Sequence, residues 1–238
     1  MTQDHYFTAQ PASDGELRRV PVRLAGRDIE VVTAGGIFSP DGIDKGTRVL
    51  LDEVPAPPAN GTFLDLGCGW GPLALTLALE SPAAAVHAVD VNERALDLAR
   101  RNARALGVDA STQGAAGVHA STPDEVDAAT TFDLIWSNPP IRVGKAALHE
   151  LLTTWLPRLR PASGLSGPSE LAGEGDHAAG GADPAGGGTA YLVVQKNLGS
   201  DSLQTWLARA LPDIMGAVRV ERCASSKGFR VLKVQRTA

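Results

Sequence analysis

Phe63-Leu64-Asp65-Leu66-Gly67-Cys68-Gly69-Trp70-Gly71-Pro72 is a short apolar run that breaks into three alternating glycines and a proline. Phe63–Leu66 reads as a buried strand. The glycines let the chain turn tightly out of it and let a ligand approach the backbone, because glycine has no Cβ. Pro72 opens a helix to about Glu80 at little cost, since the N–H it lacks has no partner in a first turn. The remaining first-turn N–H groups are unpaired. Strand, glycine loop and helix in that order predict an α/β chain with its ligand at the carboxyl end of the strand.

The spacing discriminates between cofactors. The dinucleotide fingerprint G-x-G-x-x-G would need a glycine at 72, where this chain has Pro72. Asp65 would repel a pyrophosphate and suit an ammonium. S-adenosylmethionine carries an ammonium and a sulfonium, and no phosphate. Asp90 ends the next apolar run, Ala84–Val91, where a carboxylate can accept both hydroxyls of a ribose.

Outward from this unit the pattern continues. Upstream, Val20–Leu24 and Ile29–Thr33 flank Ala25-Gly26-Arg27 and predict a hairpin. Asp44 is placed to cap a helix that Pro55 stops near Val54. Downstream, Asn92 caps a helix over Glu93–Leu106, with Ala95, Leu98 and Ala99 on its apolar face and Arg94, Arg101 and Arg104 elsewhere. Residues 108–130 are weakly patterned, with room for a strand and a short helix. Strands follow at Phe132–Ser137 and Tyr191–Gln195, and helices at Lys145–Leu156 and Asp201–Leu211, the latter capped by Ser200 or Asp201. Val218–Cys223 and Phe229–Val234 form a final pair of strands. Alternating strands and helices predict a mostly parallel, Rossmann-like sheet with helices on both faces.

Asn138-Pro139-Pro140-Ile141 follows the apolar run Phe132–Trp136. Asn-Pro alone is an ordinary turn pair. After a buried strand, and downstream of a cofactor floor, it reads as a clamp for a planar amine. Such a nitrogen is a poor nucleophile because its lone pair is delocalised. Asn138 offers a side-chain oxygen, and Pro139 a carbonyl that Pro140 helps to hold in place. Positioning and electrostatics then supply the rate, without metal or covalent intermediate. Ile141 sits where a side chain would pack on a flipped base. Arg142 and Lys145 are placed either to meet phosphates or simply to solvate a helix start, and His149 faces solvent.

Composition sets outer bounds. The chain has 238 residues, 43 % of them hydrophobic, enough for a sizeable core. No stretch is long and apolar enough to cross a bilayer, and Met1–Tyr6 has no secretory pattern, so a cytoplasmic location is expected. Cys68 and Cys223 have neither disulfide-framework nor metal-ligand spacing. The net charge of −5 argues weakly against nucleic acid. Four of the acids, however, lie in the glycine-rich stretch 161–188, which holds no Lys or Arg and reads as a flexible insertion. Residues 219–236 are basic, with Arg219, Arg222, Lys227, Arg230, Lys233 and Arg236 against Glu221. That end of the chain either touches phosphates or is a solvated strand face.

These stretches resemble class I S-adenosylmethionine-dependent methyltransferases. More narrowly, they resemble the methyltransferase small domain family, to which ribosomal RNA guanine-N2 methyltransferases belong. The matching residues are Gly36–Arg48, Phe63–Pro72, Val89–Asn92, Phe132–Lys145 and Leu192–Leu203, with His5-Tyr6-Phe7 similar to the family's N-terminal region. The resemblance implies a seven-stranded sheet whose last strand is antiparallel. It implies that Asp65, Gly67 and Gly69 line the methionine end of the cofactor, that Asp90 with Val91 beside it holds the ribose, and that Phe38 and Thr47 close over it. It makes Asn138, Pro139, Pro140 and Ile141 the target-amine site, with Arg142 and Lys145 toward the RNA.

The chain departs from the pattern in three places. Ile141 replaces the commoner aromatic. The extra, degenerate N-terminal methyltransferase domain that many ribosomal RNA enzymes carry is not in these residues. Over 111–120 only Gln113, His119 and small residues stand where relatives contact the adenine amine through an acid. The expected organisation is an N-terminal hairpin and lid segment, 1–60, packed on a methyltransferase domain, 61–238. The expected function is methylation of a guanine amine in ribosomal RNA. The alternatives are a protein-glutamine methyltransferase, whose clamp usually ends in Tyr, and a non-catalytic RNA-binding module with a vestigial pocket.

Overall fold

The computed structural model describes residues 10–162 and 186–237. His5-Tyr6-Phe7 and the middle of the glycine-rich stretch lie outside the described residues. The hairpin is present as β1 (Arg18–Leu24) and β2 (Arg27–Thr33), antiparallel around Ala25-Gly26. Both turn residues have positive φ, the two-residue turn that matches strand twist. The first helix, α1 (Lys45–Glu53), starts where expected: Asp44 accepts from the N–H groups of Gly46 and Thr47.

The alternating units are β3 (Asn60–Leu66), α2 (Pro72–Glu80), β4 (Ala83–Val89), α3 (Glu93–Ala105), β5 (Gly117–Ser121), β6 (Leu134–Ser137), α4 (Lys145–Trp155), β7 (Thr189–Gln195), α5 (Ser200–Met215), β8 (Val218–Ser226) and β9 (Phe229–Arg236). The seven later strands form one sheet in the order β5-β4-β3-β6-β7-β9-β8. Strands β3 to β7 are parallel, and β9, last in the chain, runs antiparallel between β7 and β8. Among the described residues no helix is long and apolar enough to cross a membrane.

Side chains alternate across the sheet with the period of two that a strand imposes. Phe63, Leu134 and Trp136 join one core with residues of α1, α2 and α3. Leu64, Leu66 and Ile135 join the other with residues of α4 and α5. The chain moves one way from β3 to β4 and β5, then returns to place β6 on the other side of β3. Strand order reverses there, so the carboxyl ends of β3 and β6 form the crevice of the sheet. Leu66 pairs with Ser137, and the Ser137 hydroxyl donates to the Leu66 carbonyl at 2.7 Å. Gly67 and Asn138 therefore leave the sheet side by side.

Several expectations need correction. Neither Ser200 nor Asp201 caps α5. The cap is Gly199 at φ 92°, and the Ser200 hydroxyl is buried without a partner. The helix continues past Leu211 and through Pro212 to Met215, because Leu211 and Met215 are both buried in the core. Arg94, off the apolar face of α3, is nonetheless buried: it is 7 % exposed and bonds to Gln10 and Gly35 carbonyls and to Glu16. The segment preceding β1 crosses the start of α3 and covers it. His149 does not stand free in solvent. Its ring stacks on Trp206 of α5 at 3.5 Å. Gly188, at the end of the glycine-rich stretch, is paired, donating to Arg160 and accepting from Arg236.

Candidate active site

The loop after β3 folds back on the end of β4. Gly67 and Cys68 both donate their N–H to the Val89 carbonyl, at 2.8 and 3.0 Å. Gly69 donates to Asp90 Oδ2 at 2.9 Å, and Asn92 N–H to Asp90 Oδ1 at 2.9 Å. One carboxylate thus fixes both the glycine loop and the start of α3. Burial raises the Asp90 pKa, partly offset by these backbone donors.

Gly67, Gly69 and Gly71 all have positive φ, but their surroundings differ. A Cβ at Gly67 or Gly69 would meet nothing within 4 Å, whereas one at Gly71 would stand 3.3 Å from Ala99 Cβ. The first two face open space, and the third lets α2 pack on α3. Asp65 lies beneath, with no exposure. Its Oδ2 accepts from Ala74 N–H at 2.9 Å in the first turn of α2, and its Oδ1 has no partner. Burial first, then the Asp90 charge, push its pKa up to about 8. Burial likewise pushes the Cys68 thiol well above its ordinary range.

A shallow cavity opens here, lined among others by Phe38, Asp44, Thr47, Asp65, Gly67, Gly69, Trp70 and Asn138. It brings together residues from three separate stretches of sequence. Asp90 is joined to it through Gly69. Val91, 65 % exposed, and Phe38, 51 % exposed, are among the few large apolar side chains left open to solvent. Loop 36–42 is tied to this rim by the Asn92 side chain, which donates to the Gly36 carbonyl at 3.0 Å. A larger groove lies between β1 and α1, away from the glycine loop.

On the β6 side, Asn138 donates its Nδ2 to Asp44 Oδ2 at 2.9 Å and to Thr47 Oγ1 at 3.1 Å. Its Oδ1 is left to accept. Pro140 has φ −74° and ψ 75°, the inverse γ-turn, and the Pro139 carbonyl accepts from Ile141 N–H at 2.8 Å. One lone pair of that carbonyl remains. Ile141 is half-buried and packs on the α4–α5 core. Lys145 is exposed at the start of α4, and the side chain of Arg142 lies outside the described residues.

Two features escaped the sequence reading. Asp44 was legible as a helix cap, but nothing local signals its bond to a residue 94 positions away. Ser121, one residue past the stretch 111–120, was not singled out. The carboxyl end of β5 is Ser121, whose buried hydroxyl has no partner and whose carbonyl accepts from Asp90 N–H at 3.4 Å.

The family model of the methyltransferase small domain matches residues 28–164. The Bacillus subtilis (strain 168) protein YbxB is 34 % identical over 98 % of both chains. The chain belongs to the methyltransferase small domain family. Ribosomal RNA small subunit methyltransferase C of Citrobacter koseri is 36 % identical over 57 % of this chain, a match that spans only 36 % of that enzyme's length. In fold, the chain resembles the Thermus thermophilus 16S rRNA N2 G1207 methyltransferase solved with AdoMet and guanosine. The TM-score is 0.63 at 21 % identity, covering 95 % of this chain and 52 % of that one.

Proposed function

We propose that this methyltransferase family member transfers the methyl group of S-adenosylmethionine to the exocyclic N2 amine of a guanine in ribosomal RNA. The carrying observation is the Asn138 amide, whose nitrogen is occupied by Asp44 and Thr47 so that its oxygen accepts. The cavity residues fit the cofactor. The unpartnered Asp65 Oδ1 suits its ammonium, the open faces of Gly67 and Gly69 leave room for the methionine, and Asp90 stands where it would take the ribose. Ser121, at the end of the neighbouring strand, has a free hydroxyl for the adenine edge. When bound, S-adenosylmethionine supplies an electrophilic methyl group on a sulfonium.

The rest falls to the chain. Asn138 Oδ1 and the second lone pair of the Pro139 carbonyl accept the two hydrogens of the amine. That holds the nitrogen with its lone pair turned away from both acceptors and favours its pyramidal form. No base of unusual strength is required, because the amine can release its proton after transfer. Ile141 packs on one face of the base, and Lys145 and Arg142 meet phosphates near it.

The test is tritiated-methyl transfer to total RNA and to protein from a strain lacking the gene, followed by nucleoside mass spectrometry. Label recovered as N2-methylguanosine from one ribosomal RNA is the expected result. Label confined to protein would replace this reading with amide methylation of glutamine.

A further inference from the structure

We infer that Asp44 is a positioning residue: it sets the rotation of the Asn138 amide so that Oδ1, and never Nδ2, faces the target nitrogen. The inference rests on the reading of Asn138 as the holder of the target amine. An ionised carboxylate only accepts hydrogen bonds. Asp44 Oδ2, 2.9 Å from Asn138 Nδ2, therefore admits one of the two amide orientations. Thr47 supports the same choice. Its hydroxyl donates to Asp44 Oδ2 at 2.5 Å, which leaves its oxygen lone pairs to accept from Nδ2 at 3.1 Å. Both contacts of Nδ2 lie on the α1 side. An exocyclic amine brings hydrogens of its own, so an amide turned the other way would set donor against donor.

The carboxylate does this while capping α1, through Oδ1 to Gly46 N–H at 2.7 Å. Gly46 makes the approach possible. A Cβ there would stand 3.3 Å from Asn138 Nδ2 and 3.1 Å from Phe229 Cε1, tighter than ordinary packing. The start of α1 is thus built to sit against the clamp residue.

Asp44→Asn separates capping from positioning. It keeps an oxygen for the N–H groups of Gly46 and Thr47 and places an NH₂ where Oδ2 was, which turns the Asn138 amide around. Turnover should fall about 100-fold, with cofactor affinity by calorimetry within about threefold of wild type. The exchange Asp44→Asn/Asn138→Asp again opposes one donor to one acceptor and leaves a carboxylate oxygen for the amine. It should recover about tenfold over Asp44→Asn, whereas a purely structural Asp44 makes the double variant worse than either single one. Wild-type turnover in Asp44→Asn beside an inactive Asn138→Ala overturns the positioning role and leaves the amine-holding reading intact. Wild-type turnover in both overturns both. A readout free of substrate is the Asn138 side-chain ¹⁵N–¹H₂ signal, expected to move upfield in Asp44→Asn. An unshifted signal overturns the inference whatever the RNA.

Discussion

Asp65 is a carboxyl group held where ionising is costly. Its second oxygen is buried without a partner, and its pKa is about 8. In the cofactor-free protein at pH 7 it is mostly protonated. A cation placed against Oδ1 reverses this, because an opposite charge in contact favours the carboxylate. Cofactor binding at pH 7 should therefore release close to one proton. Calorimetry in buffers of different ionisation enthalpy measures that number, and a value near zero would remove Asp65 from the ammonium site. Asp65→Asn should abolish tight binding yet raise Tm at pH 8, by about 2–4 °C per kcal/mol recovered in a chain of this size. Asn138→Ala makes the opposite separation. Its turnover should drop by orders of magnitude while cofactor affinity largely holds, since on the proposed reading the amide oxygen serves the target amine. Steady-state kinetics beside calorimetry would show it. Asp65, Asp90 and Asn138 could be placed near strand ends from the sequence because each lies late in an apolar run or just after one, and strand ends are where such sheets place ligands. The partners that orient them were not readable, because Asp44 meets Asn138 only after the whole sheet is built.

At the scale of elements, the glycine loop divides into a ligand face and a packing face. Gly69→Ala and Gly71→Ala carry a similar cost for left-handed backbone, roughly 1–2 kcal/mol. Only Gly71→Ala adds a contact with Ala99, at 3.3 Å in the wild-type backbone. Gly71→Ala should thus show the larger loss of Tm. Gly69→Ala should fold nearly as well and lose cofactor affinity, because its methyl group enters the open side of the loop. Thermal melts and calorimetry on the two proteins decide it, and equal affinity losses would mean the faces are not separate. The same contrast explains what was legible. Strands β3, β6 and β7 each contain a short apolar run and declare themselves. Strand β5 is five residues with His119 among them, too short and mixed for a strand pattern to stand out. The end of α5 was hidden for a different reason, since Pro212 signals a stop that burial of Leu211 and Met215 overrides.

Across the whole molecule, long-range polar ties hold the layers in register. Asn102, 2 % exposed in mid-helix, bonds Val32 of β2 through both amide atoms and also donates to the Trp70 carbonyl of the glycine loop. The hairpin, α3 and the cofactor loop are therefore one mechanical unit, and the matched family span, beginning at residue 28, includes β2 as well as the loop.

Two buried titrating groups set how this unit responds to pH. His87 is 3 % exposed, its Nδ1 has no partner, and burial followed by the charges of His119 and Arg158 lowers its pKa from 6.5 to about 4. Folded below unfolded means that unfolding takes up a proton. His87 costs nothing above pH 6.5, and its cost grows as pH falls from 6.5 to 4, to about 3 kcal/mol. Asp65 slopes the other way. Its folded pKa of about 8 lies above the unfolded 3.8, so stability is full below 3.8 and is lost as pH rises toward 8. Asp90, also raised, adds to that loss. The two slopes oppose each other between about pH 4.5 and 6.5, and of the two only Asp65 acts above. The cofactor-free protein should then show a plateau in Tm across that acidic window and a decline from pH 6.5 to 8. His87→Leu should convert the plateau into a rise toward acid, and Asp65→Asn should flatten most of the basic decline. Saturating cofactor should flatten it as well, because a bound cation removes the penalty for ionising Asp65. A wild-type Tm that climbs steadily from pH 4.5 to 8 would contradict both assignments, since that profile belongs to a protein whose carboxylates are all stabilised by folding.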